Sequence, residues 1–233
     1  MRVGVIAEGF ADAHVIKAIV KKLMGLDGCE IRIIRPQERM DETDLKDMNF
    51  SNWQLVMESC KDRDLLDGFF NMLEGDAILV VHLDTAERGE KGYDVGVPLR
   101  TNQTDFTEYS ENLYYRVCEK LRTMIPSEYH DNMVYAIAVE ETDAWLIPLF
   151  ENSRKDTASH VRAKETLSKL IGKDHKLKKE YVDTSKKSLD YKKLSKSLTK
   201  KLQQCRSRNK SLDLFCTDIV KHIPKPVIKE KRK

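Results

Sequence analysis

Residues 77–84 read Ala-Ile-Leu-Val-Val-His-Leu-Asp, an almost unbroken apolar run that follows Gly75 and closes on an acid. A strand with one wet face alternates apolar and polar side chains; a strand apolar throughout is covered on both faces, as in the middle of a parallel sheet. This run therefore predicts a central parallel strand, and the fold class follows from what flanks it. On its N-terminal side Val3 to Ala7 is a second apolar run. After Glu8-Gly9, the residues Ala13, Val15, Ile16, Ile19, Val20 and Leu23 recur at helical spacing. Asp12 is positioned to cap that helix, Gly25 and Gly28 to end it, and Glu30 to Ile34 reads as another strand, so a βαβ unit opens the chain. Asp41 to Leu73 is helical in pattern with polar interruptions. On the C-terminal side come a charged, glycine-rich loop from Asp84 to Gln103, a helix near Tyr109 to Met124, a strand Val134 to Val139 and a short helix around Ala144 to Phe150. Such alternation predicts an α/β fold, a mostly parallel sheet with helices on both faces.

After residue 151 the strand signal ends, and Leu167, Leu170 and Ile171, then Leu194, Leu198 and Leu202, fall at helical spacing among lysines. The expected organisation is an α/β domain over 1–150, a basic helical region over 151–223 and a mobile basic tail over 224–233. Charge divides at the same place. Residues 1–150 carry 16 Lys and Arg against 28 Asp and Glu (−12); residues 151–233 carry 25 against 10 (+15), which together give the net +3 of the chain. An acidic half suits divalent cations, and a basic half suits a polyanion or the acidic half itself.

At 233 residues the chain can bury a sizeable core. The opening MRVGVIAEGF is too short and too acidic for a secretory apolar segment, and no stretch approaches a membrane span. Five cysteines without a Cys-x-x-Cys pair argue against a zinc ribbon or a disulfide framework. The expectation is a soluble cytoplasmic protein with reduced thiols and no membrane partner.

Ligands of open α/β sheets bind outside the carboxyl ends of the strands. Acids stand at three such ends: Glu8, Asp84, and the group Glu140, Glu141 and Asp143. Glu8 precedes Gly9, which permits close approach of a phosphate. Carboxylates converging there make an oxygen site suited to Mg2+ or Mn2+, and such sites serve phosphodiester hydrolysis by neutralising charge and activating water.

An apolar strand ending in Glu8-Gly9, a later strand ending at Asp84-Thr85-Ala86 and an acid-rich end downstream together resemble the TOPRIM domain of primases, topoisomerases and OLD-type nucleases. Asp84 to Val97 and Asp143-Ala-Trp-Leu-Ile-Pro-Leu149 are similar to small TOPRIM-like proteins encoded near bacterial defence genes. The resemblance covers about two thirds of the chain. It implies a magnesium-dependent nuclease, the effector of an anti-phage system controlled by an ATPase partner, with DNA or RNA as substrate and further copies of the chain as another candidate partner. It assigns Glu8 and Asp84 as catalytic residues and Glu8, Asp84, Glu140 and Asp143 as metal ligands. The family pattern has a second aspartate where this chain has Ala86. That departure leaves a single-metal site, recruitment of Glu87, or a catalytically inactive regulatory subunit as the open alternatives. Arg88 and Lys91 in the loop, and Lys186, Lys187, Lys192 and Lys193 in the basic region, are the candidate nucleic-acid contacts. His82 reads as a packed residue of the central strand rather than a ligand, His14 as a helix-surface residue, and Trp145 as core.

Overall fold

The structure, a computed structural model, describes residues 1–25, 30–36, 52–71, 75–96, 100–101, 103–153 and 155–223. Four parallel strands form one sheet in the order β2-β1-β3-β4, namely β1 (Arg2–Ile6), β2 (Glu30–Arg35), β3 (Ala77–Asp84) and β4 (Met133–Ala138). Register places Val3 beside Ile78 and Asp84 beside Ala138, so β1, β3 and β4 end near one edge. β3 is central and buried along its length, as an unbroken apolar run requires.

Side chains alternate between two cores. Val3, Val5, Ile78, Val80, Val134 and Ala136 face one, while Ile6, Leu79, Val81, Leu83, Met133 and Tyr135 face the other. Helix α1 (Phe10–Met24) covers the first face; α2 (Trp53–Lys61), α3 (Arg63–Asn71) and α4 (Phe106–Arg122) cover the second. Gly25 ends α1 in the left-handed region at φ 66, which its missing Cβ allows. Residues 41–51 and 72–73, Gly28 and the tail 224–233 lie outside the described residues, and the helical stretch from Trp53 breaks at Asp62 into α2 and α3. Because α1 and α4 leave adjacent strands β1 and β3 on opposite faces, the sheet has its switch point between the ends of these two strands, where open α/β sheets form their ligand crevice.

The basic C-terminal part adds α5 (Ala163–Gly172), α6 (His175–Tyr181), α7 (Tyr191–Lys200), α8 (Leu202–Arg206) and α9 (Lys210–Lys221). Contrary to the expectation of helix alone, a two-stranded antiparallel ladder, β5 (Val182–Asp183) with β6 (Ser188–Leu189), interrupts them. Leu194, Leu198, Leu212 and Phe215 enter the same core as α1, so the composition boundary at residue 150 runs through shared packing.

The segment after β4 differs from the expected short helix. It forms two 3-10 turns, Thr142–Trp145 and Ile147–Leu149, with Pro148 in the second. C-terminal residues tie it down: Gln204 Nε2 donates to the Pro148 carbonyl at 2.9 Å, and the Trp145 indole donates to Ser211 Oγ at 2.9 Å while stacking on Phe215. Trp145 is fully buried, so Trp145→Ala is expected to destabilise the chain by about 3–5 kcal/mol, read by denaturant unfolding.

Candidate metal centre

Glu8 and Asp84 meet at the crevice. Glu8 Oε1 accepts the Asp84 backbone N–H at 2.6 Å, which joins the end of β1 to the end of β3. The first turn of α1 brings Asp12 to the same place, because the helix cap is Gly9 rather than Asp12 and its side chain is left for other work. Two residues before Asp84 on the same side of β3 lies His82, with no exposed surface. One ligand atom from each of Asp12, His82 and Asp84 lies within 4.8 Å of the others. These three side chains could hold a metal ion.

Thr142 fixes the arrangement. Its N–H and hydroxyl both donate to Asp84 Oδ1, at 3.0 and 3.1 Å, so its oxygen is left to accept from His82 Nε2–H at 2.8 Å. His82 Nε2 also lies 3.3 Å from Asp84 Oδ1. Tyr93 donates to the Asp84 carbonyl at 2.9 Å and Tyr191, at the start of α7, donates to Asp143 Oδ1 at 2.8 Å. The basic half of the chain thus supports the carboxylate edge directly.

Crowded, buried acids resist ionisation. Burial, then the charge of Asp84, pushes the Glu8 carboxyl up to about 8. Burial also raises Asp84, to about 6, against the hydrogen bond from His82, and raises Asp143 to about 7 against the bond from Tyr191. Burial would lower the His82 imidazole, but the hydrogen bond and charge of Asp84, with Asp12 and Glu8 behind them, carry it up to about 9. Among the described residues no lysine or arginine pairs with Glu8, Asp12 or Asp84. Among the described residues His82 is thus the one cation beside these three acids, a setting that favours protonation or a divalent cation.

The acids of the β4 end divide. Asp143 joins the centre's field, whereas the Glu140 carboxylate turns to Arg88 at 3.2 Å and to Arg100, and Glu141 accepts the Lys164 N–H at 2.8 Å. Arg88 is correspondingly engaged inside the protein, while Lys91 is exposed in the loop. Lys186 and Lys187 occupy the exposed β5–β6 turn, and Lys192 and Lys193 the exposed first turn of α7 beside Tyr191. Ala86 is exposed and gives its N–H to the Glu140 carbonyl.

Sequence reasoning missed Asp12 and His82 as members of the group. A signal existed in each case: an acid in the first turn after a strand-ending Glu8-Gly9, and a His-x-Asp step that puts both side chains on one face. None of the described helices is long and apolar enough to cross a membrane, and the four described cysteines are buried and free. No family model matches the chain, and neither a curated protein nor a solved structure is significantly similar to it.

Proposed function

We propose that this chain is a metal-dependent nuclease of TOPRIM type. The observation that carries the reading is the convergence of Glu8, Asp12, His82 and Asp84 at the crevice between β1 and β3. Asp84 and Asp12 would hold the ion, Mg2+ or Mn2+, with Asp143 behind them, and His82 would join them where the ion displaces its Nε2 proton. When bound, the ion neutralises phosphate charge and lowers the pKa of water. Glu8 is suited to proton transfer: one oxygen is fixed by the Asp84 N–H, and its raised pKa lets it hold or release a proton near neutrality. Thr142 and Tyr191 keep Asp84 and Asp143 oriented. The exposed lysines of the β5–β6 turn and of α7 would meet the nucleic-acid backbone. The role in phage defence and the ATPase partner rest on the sequence resemblance alone.

The test is incubation of the chain with supercoiled plasmid and with total RNA, in Mg2+, Mn2+ or chelator. Cleavage that needs metal and ceases with Glu8→Ala supports the nuclease. Absence of cleavage of either substrate in both metals would sink it.

Ala86 favours a second reading, a regulatory subunit without metal chemistry that docks on nucleic acid or a partner protein. Asp12 bears on it, since it brings a carboxylate to the centre from α1 instead of from the loop. Restoring the family acid with Ala86→Asp is expected to tighten Mn2+ binding roughly tenfold, measured calorimetrically, because affinity follows the charge count of the ligands. No gain in affinity would mean that position 86 does not reach the ion.

A further inference from the structure

We infer that Arg88 and Arg100 form a phosphate clamp at the rim of the carboxylate centre, and that Glu140 fills this clamp as an internal counter-anion which a substrate phosphate displaces. The inference deepens the nuclease reading and takes its substrate class, a nucleic-acid phosphodiester, from it.

Two guanidinium groups converge on one carboxylate. Arg88 Nη1 lies 3.2 Å from Glu140 Oε1, Arg100 Nη2 bonds the same oxygen, and the Glu140 side chain is only 3% exposed. Two cations face this one carboxylate, with Glu141 and Glu87 farther off. The two arginines also leave donors: Arg88 Nε and both Nε and Nη1 of Arg100 are buried without a protein partner. Each guanidinium carries five N–H donors in a planar fork matched to carboxylate or phosphate, and unmade bonds of buried donors are costly.

Tyr109 holds both forks in place. Arg88 Nη2 donates to its hydroxyl at 3.0 Å, and the Arg100 guanidinium lies 4.8 Å over its ring. Arg88 Nη1 also donates to the Thr85 carbonyl at 2.7 Å, one residue from Asp84, so the clamp adjoins the metal centre through a single peptide. Side-chain exposures of 17% and 18% leave both arginines in partial contact with solvent.

Glu140 is pinned by its backbone. It adopts φ 68, unusual for a residue with a side chain; its carbonyl accepts from the N–H groups of Thr85 and Ala86, each at 3.1 Å, and its own N–H donates to Thr85 Oγ1 at 2.8 Å. Such conformations persist where the surroundings over-determine them, and they concentrate at functional sites. Here the strained backbone sets a carboxylate where two arginines would otherwise receive a phosphate.

The experiment uses the full chain in chelator, so that no cleavage occurs. Two probes are titrated, inorganic pyrophosphate by thermal shift and a fluorescein-labelled single-stranded DNA oligomer by anisotropy, with Arg88→Gln, Arg100→Gln and Glu140→Gln beside the unaltered chain. Each arginine substitution is expected to weaken both probes about tenfold and to lower the salt slope of oligomer binding by about one. Glu140→Gln is expected to melt earlier when no anion is present, and to bind both probes about tenfold more tightly than the unaltered chain. Should Glu140→Gln fail to fold, Arg100→Gln, which leaves Arg88 opposite Glu140, decides the matter. Oligomer binding that ignores both arginines overturns the clamp and leaves the nuclease reading standing. Arginine-dependent pyrophosphate binding without oligomer binding keeps the clamp and removes nucleic acid as its ligand. Binding of neither probe overturns the clamp and leaves the nuclease reading to the cleavage assay in metal.

Discussion

Asp84→Asn is expected to reduce metal-dependent cleavage by roughly 10³-fold while leaving the melting temperature within a few degrees of the unaltered chain. Asp84 is where the centre's contacts meet: its Oδ1 takes two bonds from Thr142 and faces His82, and its N–H fixes Glu8. Asparagine keeps the backbone N–H and an oxygen that can accept from Thr142. What it removes is the charge that a metal needs and that burial already disfavours. Loss of activity with the fold intact, read by plasmid cleavage rates and differential scanning calorimetry, separates a ligand from a core residue. Undiminished cleavage would place the chemistry elsewhere. Equal losses of activity and stability would make Asp84 a structural acid.

Much of this arrangement was legible in the sequence because it is local. The run at 77–84, the β1-α1-β2 unit and the helically spaced Leu194 and Leu198 of α7 each follow from short-range periodicity, and the structure has them, with Leu202 opening α8. The two-residue strands β5 and β6 carry too few apolar residues to leave a pattern, and their turn holds lysines that read as helix surface. Two successive 3-10 turns replaced the expected helix because Pro148 lacks the N–H that a continued α-helix would use. At the site, strand-end logic located Glu8, Asp84 and Asp143. It could not orient the side chain of Glu140, whose partner Arg100 lies 40 residues away in sequence. His82 reads as core on its apolar context and is fully buried; its bond to Thr142 is the part that only tertiary folding delivers. Asp12 likewise gains its place only when α1 folds over the crevice.

The metal-free chain is expected to lose stability as pH rises from about 5 to about 8, and a divalent ion to restore it. In the unfolded chain Glu8 ionises near its ordinary value of 4.5, whereas the folded chain holds the proton to about 8. Folding therefore favours the protonated form, and the stability this contributes is present below 4.5 and gone above 8. Asp84, raised from 3.8 to about 6, and Asp143, raised from 3.8 to about 7, act in the same direction over lower windows. His82, raised from 6.5 to about 9, stabilises fully below 6.5 and loses that contribution as pH rises through 9, so it steepens the same fall. The groups share charge and do not add. A combined loss of about 3 kcal/mol is expected, or about 6–12 °C in melting temperature for a chain of this size. A bound divalent cation takes the place of the protons, so its stabilisation should grow with pH and its uptake should release protons. Melting curves from pH 5 to 8 with chelator and with Mn2+ test both parts. A flat or rising profile in chelator would mean that the carboxylates are neutralised by some other cation of the protein. A falling profile that Mn2+ leaves unchanged would mean that the acidic group binds protons but no metal.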